Sequence, residues 1–241
     1  MTDISSNGAG RLLEIEELVV SYDQFRALHG VSLKVDSGEI VSIIGANGAG
    51  KSSLMKAIIG QAGRSAGRLN FAGHDLLLMT TAETVQAGIA LVPEGRRLFP
   101  SLSIEENLDI GWQLGTRGAI RIEDVFRYFP ILLEKRKQKA RELSGGQQQM
   151  AAVGRALLMN PSLLLCDEIS LGLAPVVINE LYAVLPELAR GGMSVVIVEQ
   201  DITRSLRVAD RFYCLLEGRI SLSGKPNDVS YDSVMNAYFG L

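Results

Sequence analysis

Apolar positions change their period several times along the chain, and each change predicts an element. From Leu12 to Val20 and from Val31 to Val35 the residues alternate or run apolar on either side of the turn-like YDQFRALHG, the pattern of antiparallel strands with a hairpin-type connection. Glu39 to Ile44 reads as a buried strand, followed by the glycine-rich GANGAGKSS and an apolar-periodic helix that runs to Ile59, before Gly60. A short strand at Arg68 to Phe71, a helix at Ala82 to Ala87 and a strand at Ile89 to Val92, ending at Pro93, come next.

Between Ser103 and Ala140 the spacing turns helical, as in Ile104 with Leu108 and Val125 with Phe129, and charge clusters such as EKRKQKARE appear. This stretch predicts a mostly helical insertion. From Gly145 strands and helices alternate again: a helix to Met159, a strand at Leu163 to Cys166, a helix from Pro175 to Arg190, a strand at Val195 to Val198 and a helix over Ile202 to Ala209. FYCLLEGRISLSG predicts two short strands around Glu217 and Gly218, and a last helix runs from about Pro226 to Phe239. The expected fold is α/β: one domain over residues 1–241 with a mostly parallel core sheet, an antiparallel β subdomain and an inserted helical subdomain over about residues 103–158.

The chain has 241 residues, of which 47% are hydrophobic and 21% charged, which suits one large domain and excludes disordered, coiled-coil and collagen-like classes. Its 24 Lys and Arg against 27 Asp and Glu leave a net charge of -3, so no basic excess argues for nucleic acid as a partner. Cys166 and Cys214 lie in apolar runs without metal-ligand or disulfide spacing and read as core thiols of a reducing compartment. MTDISSNGAG has neither a basic start nor an apolar stretch, which predicts a disordered cytoplasmic tail and no secretory signal. Runs such as Leu163 to Cys166 are far shorter than the roughly 18 residues of a membrane helix, so any membrane role comes through a partner.

Gly45, Gly50, Lys51 and Ser52 fit GxxxxGK[ST], between an apolar strand and a helix. Glycines let the backbone amides of Gly45, Ala46, Asn47, Gly48, Ala49 and Gly50, with Ser53 in the first helical turn, approach phosphate oxygens. Lys51 neutralises β- and γ-phosphates, and Ser52 ligates Mg²⁺. Downstream, LLLCDE delivers Asp167 and Glu168 at the carboxyl end of a buried strand. Alone, such a pair reads equally as a cap of the next turn; beside a phosphate loop it reads as an Mg²⁺ ligand, Asp167, followed by a base for water, Glu168.

Leu143 to Gln147 spell LSGGQ, ahead of the helix QQMAAVGRALL, and Ser144, Gly145, Gly146 and Gln147 form a second backbone cradle for an anion. From Ile15 to Leu241 the sequence resembles the ATP-binding subunits of ABC transporters, whose diagnostic motif is LSGGQ. One γ-phosphate needs only one cradle in cis, and the resemblance resolves the surplus. Two subunits, of one kind or of two, pack head to tail and hold each ATP between the phosphate loop of one and the LSGGQ of the other. The resemblance further implies that Tyr22 stacks on adenine, that Glu94 stands at the Q-loop position, sensing Mg²⁺ and water, and that Gln200 replaces the usual histidine at the γ-phosphate. Arg96, Arg97 and Phe99 face the transmembrane partner or form a solvated basic turn; His29 and His74 carry no supporting motif.

VPEGRRLFP, SLGLAP and VEQ together look like the branch that imports branched-chain amino acids, with related amide and urea systems. That resemblance implies an ATPase at the cytoplasmic face of the inner membrane, with ATP and Mg²⁺ as cofactors, transmembrane permease subunits as direct partners and a periplasmic solute-binding protein as an indirect one. Ile169 departs from the usual proline after the glutamate; without a locked φ, the turn that aims Glu168 is expected to loosen and to put the hydrolysis rate in question. The alternative is a soluble, non-transport ABC ATPase, which in the ribosome-acting and DNA-acting branches usually has paired cassettes or long coiled coils. A P-loop kinase or GTPase is disfavoured by LSGGQ and by the lack of an N-K-x-D string.

Overall fold

A computed structural model describes residues 10–65 and 67–241, so the expectation for the first nine residues lies outside the described part. The chain opens with β1 (Arg11–Tyr22) and β2 (Phe25–Asp36), paired antiparallel, with Tyr22 opposite Phe25 across a two-residue turn. The turn is therefore much tighter than YDQFRALHG suggested: the chain joins the ladder from Phe25, and from Val31 onward buried and open positions alternate. β4 (Arg64–Ser65), β5 (Arg68–Phe71) and β6 (His74–Asp75) complete this sheet, which is antiparallel throughout.

The second sheet has the order β11-β10-β3-β9-β8-β7. Its strands β3 (Ile40–Ile44), β7 (Ile89–Val92), β8 (Leu163–Asp167), β9 (Ser194–Glu199) and β10 (Arg211–Leu216) run parallel, and β11 (Arg219–Gly224) closes one edge antiparallel. β3, β8 and β9 are buried at every position, as expected for parallel strands covered on both faces. On one face Leu164, Cys166, Val195 and Ile197 pack with α3 (Ile104–Leu114), α4 (Ile122–Tyr128), α5 (Pro130–Glu134), α6 (Gly145–Leu157) and α7 (Pro175–Arg190). On the other, Leu163, Leu165, Val196 and Val198 pack with α1 (Lys51–Ile58) and the antiparallel sheet.

Helices α3 to α6 lie between β7 and β8, and α2 (Thr81–Gln86) and α8 (Ile202–Val208) flank the parallel strands. Ser103 caps α3 with Glu106, and Ser144 caps α6 with Gln147, each closing a reciprocal capping box. The last helix, α9, is Tyr231–Phe239, shorter than expected: Pro226–Asp228 make one 3₁₀ turn, Val229 is extended, and Ser230 caps a fresh start. Tyr213 joins the two sheets, its hydroxyl accepting from Lys34 N at 3.0 Å and donating to Lys34 O at 3.3 Å. Arg64 secures the end of α1, its guanidinium donating to the carbonyls of Ala57, Ile58, Leu76 and Met79.

Candidate active site

The loop from Gly45 to Gly50 passes between β2 and β10 with no room for side chains at its ends. A Cβ on Gly45 would lie 2.4 Å from Leu215 O, and one on Gly50, whose φ is +104°, 2.8 Å from Ala27 O. Gly218, in the β10–β11 turn, donates its N–H to Ala49 O at 2.9 Å and so holds the loop from below. At the start of α1 no side chain caps the helix and no acid occupies the first turn, which leaves N–H groups and partial positive charge available to an anion.

Lys51 is 4% exposed, and its ammonium donates to Gly45 O at 2.8 Å and Ala46 O at 3.1 Å across its own loop. The same nitrogen lies 3.3 Å from Glu168 Oε1. Gln200 Nε2 donates to Glu168 Oε2 at 2.8 Å, so both oxygens of that carboxylate are engaged. Ser52 Oγ donates to Asp167 Oδ1 at 3.2 Å. Burial pushes the Asp167 carboxyl above the usual carboxylate range; the Ser52 bond and Lys51 pull it down, while Glu168 and Glu94 push it further up.

These groups converge because β7, β8 and β9 are parallel neighbours: Glu94, the Asp167–Glu168 pair and Gln200 all follow the carboxyl ends of adjacent strands. Glu94, Glu168 and Gln200 line one open cavity of about 530 Å³ together with Asn47, Lys51 and Ser52. Oxygen donors on Ser52, Asp167 and Glu94 suit Mg²⁺. No group of three or more His, Cys, Asp or Glu that could hold a metal exists among the described residues, so such an ion would complete its shell with phosphate and water.

Phe25, Ala27 and Leu171 also line this cavity and were not singled out in the sequence. The sequence signal for Phe25 is only a large apolar residue within a turn-like stretch; the structure leaves it 68% exposed beside the hairpin turn. Tyr22, opposite it in register and 39% exposed, is not part of the lining. Nor are Ser144, Gly145, Gly146 and Gln147. They begin α6, where a Cβ on Gly146 would come within 2.8 Å of Val177 and one on Gly145 within 2.8 Å of the Arg96 guanidinium. Ile169, expected to loosen its turn, is 1% exposed and packs in the core.

Residues 28–170 match the ABC transporter family model. The chain is 42% identical over 211 residues, 87% of its length and 91% of the relative's, to the high-affinity branched-chain amino acid transport ATP-binding protein BraG of Pseudomonas aeruginosa. Its fold is similar to the ADP conformation of MJ1267, an ATP-binding cassette of an ABC transporter, with a TM-score of 0.81 and 29% identity over 96% of this chain and 99% of that one. A dimeric bacterial ABC transporter cassette, MJ0796, aligns at a TM-score of 0.80 and 25% identity over 89% of this chain and 99% of that one. With its phosphate loop, its acidic strand end and its LSGGQ helix assembled on this fold, the chain belongs to the ABC transporter family, as an ATP-hydrolysing cassette.

Proposed function

We propose that this single-domain cassette powers import of branched-chain amino acids, docked at the cytoplasmic face of the inner membrane on transmembrane permease subunits and supplied by a periplasmic binding protein. The observation that supports a site shared between two subunits is the separation of two anion cradles: the phosphate loop lines the cavity with Glu168 and Gln200, whereas Ser144 to Gln147, at the start of α6, are not part of that lining. Such a surface is complete only against a second ATP-binding subunit, of the same or a sister kind, and the dimeric MJ0796 cassette supports that arrangement. The name of BraG supports the solute class.

The contacts support the following residue roles. Ser52, Asp167 and Glu94 would hold Mg²⁺, which when bound neutralises phosphate charge. Lys51, held over its loop by Gly45 O and Ala46 O, exchanges Glu168 for the β- and γ-phosphates. Glu168, released on that side and still held by Gln200 on the other, accepts the proton of the attacking water. Tyr22 and Phe25, paired at the hairpin, offer apolar faces to the adenine. Arg96, Arg97 and Phe99 face the permease.

The test is uptake of labelled leucine into proteoliposomes that hold the chain, its permease subunits and binding protein, with ATP inside. ATP-dependent accumulation of leucine is expected. ATP hydrolysis with transport of another solute and none of leucine would overturn the solute, and dimer-independent hydrolysis would overturn the shared site.

A further inference from the structure

Outside the cavity one carboxylate is buried without a counter-charge. Glu199, the last residue of β9, is 2% exposed and forms no ion pair among the described residues. Burying a carboxylate in this way is costly, and an apolar side chain would complete the core more cheaply. Both of its oxygens go to one residue. Oε1 accepts from Ser170 N at 3.2 Å, and Oε2 accepts from Ser170 Oγ at 2.7 Å. The Tyr182 hydroxyl, from α7, lies beside the same carboxylate, buried and with no aligned acceptor of its own.

Ser170 stands two residues beyond Glu168, in the turn that leaves β8. The end of β9 holds that turn at three successive residues: Val198 O accepts from Glu168 N at 3.0 Å, Glu199 binds Ser170, and Gln200 binds the Glu168 carboxylate. The turn needs holding, because Glu168 has φ +49°, a left-handed conformation that residues with a Cβ adopt only under constraint. Ile169 supplies no locked φ. Ser170 presents an N–H and an O–H side by side, and a carboxylate is the side chain that accepts both through two coplanar oxygens.

We propose that Glu199 is a positioning residue for ATP hydrolysis: bonded to Ser170 through both oxygens, it fixes the turn that aims Glu168 at the attacking water. The inference rests on the reading of Glu168 as the base.

The test compares Glu199→Val, Glu199→Gln, Ser170→Ala and the Ser170→Ala/Glu199→Val double variant by phosphate release in the assembly where the wild type hydrolyses ATP, and by calorimetric ADP affinity. Glu199→Val should lower kcat at least tenfold while KM for MgATP and Kd for ADP stay within twofold. Glu199→Gln, whose amide can accept from Ser170 N and donate to Ser170 Oγ, should keep at least a third of the wild-type kcat. Ser170→Ala should lose threefold or more, and the double variant should be no worse than Glu199→Val, since both act through one contact. Wild-type kcat in Ser170→Ala overturns the proposal even if Glu199→Val fails to fold. So does an equal fall of kcat and ADP affinity in the soluble variants, or a double variant that multiplies the two losses. A wild-type chain that binds no ADP and releases no phosphate would refute the ATPase reading instead.

Discussion

Replacing Glu168 by Gln should do more than stop hydrolysis: it should tighten nucleotide binding. Lys51 and Glu168 form an ion pair of 3.3 Å with side chains 4% and 9% exposed, and in the proposed site the β-phosphate competes with that carboxylate for the ammonium. At an effective dielectric of about 20 the pair's Coulomb energy is about 5 kcal/mol. Most of this is offset by the desolvation of the two charges, and Lys51 keeps its carbonyl partners Gly45 and Ala46 in the variant. A net competition of about 1 to 2 kcal/mol remains, so Glu168→Gln should bind ADP about 5- to 30-fold more tightly. Calorimetric titration with MgADP measures this without turnover, and phosphate release from MgATP should fall about 10²- to 10⁴-fold in the same protein. Equal or weaker ADP affinity in Glu168→Gln would show that the pair does not compete with phosphate.

Lys51→Ala should abolish measurable MgATP binding, since it removes the only side-chain cation of the loop, and unchanged affinity by calorimetry would exclude the loop as the phosphate site. Arg64→Met should leave four carbonyls around the end of α1 without their donor, for a loss of about 2 to 3 kcal/mol and roughly 5 to 10 °C in Tm, read by circular dichroism. Burial raises the Glu199 carboxyl above its ordinary value near 4.5, so folding favours its protonated form. Its contribution to stability is complete below that value and lost as pH rises through the raised one. The Tm of Glu199→Gln relative to wild type should therefore rise as pH increases from 4 toward neutrality; a constant difference would place the carboxyl in a solvated setting.

The parts of this fold visible in the sequence are those dictated by local pattern: buried runs such as Leu163 to Cys166, the capped helix after Ser144, and the glycines of the phosphate loop. Strand order is not a local property, so nothing in the chain announces that Glu94, Glu168 and Gln200 end neighbouring strands. The hairpin at Asp23 is tighter than its sequence suggests because polar residues at the start of the edge strand β2 look like turn. The start of α9 lies later than its sequence suggests because Pro226 suits a first helical turn, yet the chain resets at Val229 before Ser230 caps the helix, and the helix ends at Phe239 as expected. Ile169 shows the opposite limit: the missing proline is plain in the sequence, whereas the burial of its side chain in the core is visible only in the structure.

The alternation within β9 bears on how this chain can change over evolutionary time. Val195 and Ile197 face one core and Val196 and Val198 the other; Glu199 and Gln200 continue the two rows, one into the packed interior and one into the nucleotide cavity. Deleting a single residue inside the strand would exchange the rows, sending a carboxylate toward the phosphates and an amide behind the turn. Point substitutions along β9 can accumulate gradually, but its length is locked, and natural insertions and deletions should be confined to the loops on either side of it.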